Sequence, residues 1–299
     1  MRTLLAAVGT IMLVACGTTV PDAVARPMPQ PAVAAPVEPA APAAAADNRI
    51  IFPASVQQGA LVIGKVPSGS EAVHAGRRLK VTPYGTVAFG VERTQAGPVS
   101  VQVTRPDGSY ETAEIAVTVR DFPVERVNGV PGSTIAPPPA VAARIARERA
   151  AVAAARTRDD ARTGFTDDFI WPVRGRISGR FGNQRIYNGT PGAAHSGMDI
   201  AAPDGTPVKA PAAGVVTLAD DLYITGGTIV LDHGHGVSSN FLHLSRMDVR
   251  VGDEVAQGQV LGAVGATGRA TGPHLHWGMN WFDVRVDPLL VLGDTAARP

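Results

Sequence analysis

From about Arg49 onward the chain alternates between apolar and polar positions. Val99-Ser-Val-Gln-Val-Thr104 puts an apolar residue at every second position, the period of a strand with one buried face. Tyr110 to Val119 resumes that pattern after Arg105-Pro-Asp-Gly-Ser109, whose Asp-Gly step is turn chemistry, so the spacing predicts a hairpin. Shorter runs at Ala60–Gly64, Leu79–Val81 and Thr86–Val91, divided by Gly and Pro, predict further strands and a small immunoglobulin-like β-sandwich over residues 47–130. The period then changes. Ala140 to Ala161 lacks internal Gly and Pro and sets Val141, Ile145 and Val152 near one helical face, which predicts a connecting α-helix within 137–162. Alternation returns at Arg176–Phe181, Gly214–Leu218, Thr228–Asp232, Gln259–Val264 and His274–Phe282, and no long helical pattern follows. The expected fold class is mainly β, with an antiparallel β-domain over residues 168–293.

The N-terminal segments obey other rules. Arg2 precedes a mostly apolar run, Leu4 to Ala15, shorter than the ~20 residues that span a bilayer, so residues 1–15 read as a lipoprotein signal peptide. Leu13-Val14-Ala15-Cys16 resembles a lipobox. Cys16 is the only cysteine, which excludes an intramolecular disulfide and makes it the expected lipidation site. Residues 16–46 read as the lipidated cysteine followed by a disordered Pro/Ala-rich tether. Gly17, by resemblance to Gram-negative lipoproteins, favours a periplasm-facing outer-membrane location.

Charge narrows the classes of partner. With 27 basic and 26 acidic residues the formal net charge is +1, which gives a nucleic-acid role no electrostatic support. Five arginines, Arg144, Arg147, Arg149, Arg156 and Arg158, fall in the expected helix; they could touch anionic envelope polymers, but a solvated helix face is the better reading.

Candidate chemistry is split over three places: His195-Ser-Gly-Met-Asp199, Phe241-Leu-His243-Leu-Ser245 and Pro273-His274-Leu-His276-Trp277. Residues two or four apart on a strand share a face, so a sheet can present His274 with His276, and His195 with Asp199, to one cleft. Two imidazoles and a carboxylate there make a three-ligand zinc site with a position left for water. His243 and one of the His274/His276 pair would remain for proton handling. His233-Gly-His235 has the same His-x-His form but lies in a turn-forming context, where turn histidines are expected. His74 stands alone and reads as a surface histidine.

The order HSGMD, FLHLS, TGPHLHWG, with APDGTPVKAPAAGVV between the first two, resembles the lysostaphin/LytM-type zinc endopeptidases over about residues 170–290. The resemblance implies the duplicated hybrid motif of that family and one zinc ion per chain. It implies His195, Asp199 and His276 as metal ligands and His243 and His274 as catalytic histidines. Where relatives commonly carry tyrosine, this chain has Phe241. No His-Glu-x-x-His helix is present, so histidine must act as base; His274 is expected to take the proton of the water, and His243 to stabilise the oxyanion or protonate the leaving amine. The implied substrate is peptidoglycan, cut at the D-alanyl to meso-diaminopimelate cross-link. The groove would be bordered by Gly265 to Gly272 and by Tyr187 to Ala194. A regulatory envelope protein is a further expected partner. The alternative from another class is a non-catalytic envelope module that binds peptidoglycan or activates a separate hydrolase.

Overall fold

The hairpin at Val99–Thr104 and Tyr110–Thr118 forms as its alternation demands, in register from Thr104 opposite Tyr110 to Val99 opposite Ile115. Its apolar set, Val99, Val101, Val103 and Ile115, is buried. In this computed structural model, which describes residues 48–293, the hairpin is the centre of a five-stranded sheet. Its neighbours are Ser55–Gln57, parallel to Tyr110–Thr118, and the hairpin pair Glu71–His74 and Arg77–Leu79. Leu61–Lys65 pairs separately with Thr86–Gly90. The readings of residues 1–15, Cys16 and the tether lie outside the described residues.

A larger antiparallel sheet follows. It runs in the order Glu254–Val255, Gly214–Leu222, Gly226–Gly234, Val237–Leu244, His274–Trp281, Gly197–Ala201, Arg176–Gly179, with Val284–Val286 folded back on His274–Trp281. The mainly β class expected from the alternation is the class observed. Gly226–Gly234 is buried at every position, as the apolar run Thr228-Ile-Val-Leu231 requires of a strand covered on both faces. A three-stranded sheet joins the two parts of the chain: Val124–Val127, which follows the N-terminal strands, pairs in parallel with Gln184–Tyr187, and that strand pairs with Thr190–Ala194.

The helix spans Pro139–Ala155, shorter than the 137–162 expected. Pro139 starts it at N1, where a missing N–H costs nothing. It stops where Thr157-Arg-Asp-Asp160 offers poorer helix formers and local ion pairs, Arg158 to Asp160 at 2.8 Å among them. Val152 and Ala155 pack on Leu218, Leu222 and Val230. The arginine face is not wholly solvated: Arg156 turns inward and donates to Asn240 Oδ1 from Nε at 3.1 Å and Nη2 at 2.9 Å.

His74 is not a surface residue. It is buried, its Nδ1 donates to the Ser100 carbonyl at 2.9 Å, and its ring lies 4.1 Å from that of Phe89 and 6.2 Å from that of Trp281. This aromatic group joins the N-terminal strands to the large sheet, so that both sit on one continuous core. His233 and His235 are also buried. His235 occupies the turn with φ 53°, whereas His233 closes the strand, donating from Nδ1 to the Ala213 carbonyl at 2.8 Å with Nε2 2.8 Å from Ser239 Oγ.

Candidate metal centre and its groove

Sheet register brings the first ligand pair together. Gly197–Ala201 and His274–Trp281 run antiparallel with Asp199 directly opposite His276 and Ala201 opposite His274. His195 lies just before its strand, fixed by Gly182 N donating to its carbonyl at 2.9 Å and by its own N–H donating to Asn183 O at 2.8 Å. Three buried atoms then converge: His195 Nε2 and Asp199 Oδ1 at 3.0 Å, His195 Nε2 and His276 Nδ1 at 3.0 Å, His276 Nδ1 and Asp199 Oδ1 at 2.8 Å.

The donor chemistry of this triangle fits a cation. The Arg180 carbonyl, 2.9 Å from His195 Nδ1, can only accept, so Nδ1 carries the proton and Nε2 turns a lone pair toward Asp199 and His276. A lone pair held against a carboxylate oxygen is repulsive unless a positive charge lies between them. Edges of 2.8–3.0 Å are close to the roughly 3.3 Å between ligands of a tetrahedral zinc ion with ~2.0–2.1 Å bonds. Burial favours the neutral form of His276, pushing it down to about 3. Burial alone would raise Asp199, but the His195 and His276 imidazoles against it outweigh that and hold it well below the usual carboxylate range. Neutral imidazoles and an ionised carboxylate are the forms that bind metal.

Two residues that sequence reasoning missed complete the triangle's support. Arg185 Nη2 donates to Asp199 Oδ2 at 2.5 Å, which leaves Oδ1 alone to face the histidines. Glu125, on the strand after the N-terminal sheet, holds Arg185 from behind, with Oε2 3.3 Å from Nε, and also accepts from Asn183 Nδ2 at 2.6 Å. Gly179 makes room for this contact: a Cβ there would meet Arg185 Nη2 and Asp199 Oδ2 at 2.6 Å each. Gln184-Arg-Ile-Tyr187 shows no alternation that would mark it as a strand, and its parallel partner Val124–Val127 lies too far away in sequence to be recognised.

Opposite the triangle stand the other two histidines. His243 and His274 rings lie 4.8 Å apart, and His243 is 6.3 Å from His276. Both use the same device: His243 Nδ1 donates to Thr267 O and His274 Nδ1 to Gly272 O, each at 2.8 Å, leaving Nε2 as the free acceptor. His274 Nε2 is 3.8 Å from Asp199 Oδ1. His243 reaches the groove through a bulge. The register of Val237–Leu244 slips beside it, and His243 adopts φ 65°, an unusual value for a non-glycine residue, which re-aims its side chain. Burial and then the neighbouring His274 push His243 down to about 4. Phe241 is fully buried in the core and lines neither cavity that opens on the triangle, so a phenol at that position would not face the site.

Those cavities make a groove. One, of about 570 Å³, contains Tyr187, Ala193, Ala194, His195, His243 and His276 in its wall; the other, of about 420 Å³, contains Asp199, His274 and Arg269 to Pro273. Of the expected borders, Tyr187, Ala193 and Ala194 on one side and Arg269 to Gly272 on the other line these cavities, and Gly265 to Gly268 do not. Arg269 lies 4.2 Å above the Tyr187 ring where the two cavities meet. Gly265 and Gly268 serve packing: a Cβ at Gly265 would strike Ser245 N at 2.5 Å, and one at Gly268 would strike Gly226 N at 2.4 Å. Gly272 has open space beside it and faces the groove.

An antiparallel sheet carrying a His-Asp-His triangle with two more imidazoles across an open groove defines a mononuclear metal site of the hydrolytic type. Comparison with known proteins gives the family. Residues 193–288 match the profile of peptidase family M23. A Pseudomonas aeruginosa crystal structure described as an M23 peptidase is 34% identical and superposes with a TM-score of 0.62 over 79% of this chain and 94% of that one. The chain belongs to peptidase family M23. It is 42% identical over 103 residues to peptidoglycan DD-endopeptidase ShyA of Vibrio cholerae, which is 34% of this chain and 24% of that protein. It is 37% identical over 165 residues to cell division protein DipM of Caulobacter vibrioides, 53% of this chain and 26% of that protein. The match thus spans about a quarter of the length of these curated relatives.

Proposed function

We propose that this chain hydrolyses peptide cross-links in peptidoglycan as a zinc-dependent endopeptidase, at the D-alanyl to meso-diaminopimelate bond. The observation that carries the reading is the triangle of His195, Asp199 and His276 with the free Nε2 atoms of His243 and His274 facing it. The names of relatives such as ShyA support the substrate class.

His195 Nε2, Asp199 Oδ1 and His276 Nδ1 would hold the zinc. When bound, it supplies a Lewis acid for the scissile carbonyl and a water whose pKa falls from 15.7 to about 7. The remaining chemistry belongs to the chain. His274, half-buried at the groove, takes the water's proton on Nε2 while Gly272 O fixes its ring. Once protonated, a histidine so oriented becomes a donor and can return the proton to the leaving amine. His243, neutral because of its burial and with Nδ1–H given to Thr267 O, presents an acceptor on Nε2; only after taking up a proton there would it stabilise the tetrahedral oxyanion or protonate the leaving amine, and burial makes it give that proton up readily. Arg185 keeps Asp199 from rotating.

Anchoring belongs to the same reading: Leu13-Val14-Ala15-Cys16 supports lipidation at Cys16 and an outer-membrane position facing the wall, where a regulatory envelope protein would control access. Cys16→Ser should leave an unprocessed precursor without attached lipid, and normal processing of that variant would overturn the anchoring.

The deciding experiment incubates the zinc-loaded full-length chain with purified cross-linked muropeptide dimers and follows the products by mass. Monomers that have together gained one water at the cross-link are expected. Intact dimers beside efficient cleavage of pentaglycine would refute the bond; intact dimers with no wall peptide cut, despite stoichiometric zinc, would favour the activator.

A further inference from the structure

The larger cavity beside the triangle is charged in one direction. Its wall contains Arg93, Arg149, Arg185, Arg269 and Arg285 and no aspartate or glutamate, in a chain whose basic and acidic residues number 27 and 26. A random draw from that composition would mix the signs. Arg93 follows the strand Thr86–Gly90, Arg149 lies in the helix, Arg185 in the joining three-stranded sheet, Arg269 in the loop before His274–Trp281 and Arg285 in Val284–Val286, so the fold gathers them and the sequence does not.

Two of them already have work inside the protein. Arg185 holds Asp199 and Glu125, and Arg93 donates to Gly182 O at 2.9 Å with its guanidinium over Phe122. The other three differ. Among the described residues Arg149, Arg269 and Arg285 have no acidic partner within ion-pair distance. Arg269 stacks on Tyr187, a contact that uses its face and leaves its edge, the hydrogen-bonding fork, open. Arg149 and Arg285 also line the adjoining cavity of about 380 Å³ beneath the helix. There Arg156 satisfies itself on the neutral Asn240, and burial, then Arg285, push it down to about 9. Acidic residues line the adjoining cavities, Glu148 in one and Glu125 and Asp199 in the other, but each is paired with another arginine, Glu148 with Arg144 and the other two with Arg185, so Arg149, Arg269 and Arg285 keep their charge unneutralised along the larger cavity.

We propose that Arg149, Arg269 and Arg285 anchor free carboxylates of the bound peptide, so that the groove selects an anionic cross-linked peptide and rejects a neutral one. This rests on the hydrolytic reading of the site and adds its selectivity. The guanidinium fork matches a carboxylate in two parallel hydrogen bonds, and the groove walls lower the dielectric around it. None of the three belongs to the zinc and proton-transfer set proposed above, so anchoring contacts from Arg149 and Arg285 should act on ground state and transition state alike, whereas Arg269 also acts electrostatically on His243. Arg149 and Arg285 would then set KM and leave kcat, while the loss of Arg269 would move both.

The test uses the full-length chain and two ligands, a cross-linked muropeptide dimer with its carboxylates free and the same dimer with them amidated. For the zinc-loaded protein, amidation should raise KM on the order of a hundredfold with kcat little changed, and Arg149→Gln, Arg269→Gln or Arg285→Gln should each raise KM for the free dimer on the order of five- to tenfold. The triple variant should treat both dimers alike, while Arg149→Lys should recover part of the loss. Circular dichroism and zinc content confirm that each variant is folded. Binding of both dimers to His243→Ala, by calorimetry, gives a readout independent of turnover. Cleavage of both dimers with equal kcat/KM refutes the anchors and leaves the hydrolytic reading standing. If neither dimer is cleaved, preferential binding of the free dimer that the triple variant loses upholds the anchors without the hydrolase, and equal binding refutes them.

Discussion

At the scale of single residues, the site as proposed divides into atoms that would hold the metal and atoms that would move protons, and the division is testable. Alanine at His195, Asp199 or His276 should abolish stoichiometric zinc, whereas His243→Ala and His274→Ala should keep it and lose 10²-fold or more in kcat, since their Nε2 atoms face the triangle without belonging to it. Zinc analysis beside turnover separates the two groups; zinc lost from His274→Ala but kept in His276→Ala would reverse the pair. Arg185 should behave differently from both. Arg185→Gln removes the charge that fixes Asp199 Oδ2 and should weaken zinc affinity on the order of 10- to 100-fold by chelator competition, with Glu125→Gln giving a smaller loss. Unchanged affinity in Arg185→Gln would deny it a positioning role. The five site residues were legible because their types and order are chemically distinctive. Arg185 and Glu125 were not, because an arginine in a short polar strand looks like any other surface cation until the sheet sets it against Asp199.

At the scale of elements, alternation was a reliable guide where strands bury one face, as in Val99–Thr104 and Tyr110–Thr118. It failed in two ways. Val124–Val127 and Gln184–Tyr187 are short and half-exposed, and only their mutual pairing across the chain reveals them. The bulge at His243 was also invisible, since a local φ of 65° is imposed by neighbouring strands and not by the residue itself. Gly226–Gly234 carries an opposed pair of titrating groups at its end. Burial pushes His233 down to about 4, so as pH falls from about 6.5 to 4 the unfolded chain gains a proton that the folded chain refuses, and about 3 kcal/mol of stability is lost. Asp232 runs the other way. Burial pushes it up to about 6, so the folded chain takes up its proton first and stability rises as pH falls from about 6 to 4. Urea unfolding of the metal-free protein should therefore show a steeper acid loss in Asp232→Asn than in wild type and a shallower one in His233→Gln. Parallel pH profiles for all three proteins would refute both assignments.

At the scale of the whole molecule, the N-terminal strands and the large sheet share one continuous core. The sequence suggested two separate β-domains, because each has its own alternation and a helix lies between them. What it could not convey is how much of each core belongs to the other. His74 and Phe89 pack toward Trp281, and a Cβ on Gly90 would touch Val284 and Val286 at 3.0 Å. Arg120 pairs with the buried Asp287 at 2.8 Å, and Asp287 N donates to Gly59 O at 2.7 Å. Asp287 also caps the short helix Pro288–Val291 through Leu289 N at 2.9 Å. Asp287→Ala should therefore cost about 3 kcal/mol or more, by leaving Arg120 without its partner and the cap unmade. The same contacts predict how the protein unfolds. Chemical denaturation should give one transition, coincident by tryptophan fluorescence and far-ultraviolet circular dichroism, with a denaturant slope appropriate to a single body spanning both sheets. Residues 168–293 expressed alone would expose Trp281, Val284 and Val286 to water, and would lose Glu125 from behind Arg185. That fragment should melt well below the full-length chain and bind zinc more weakly. A fragment matching the full-length chain in both melting temperature and zinc affinity would show that the N-terminal strands are an independent attachment, with no part in holding the site.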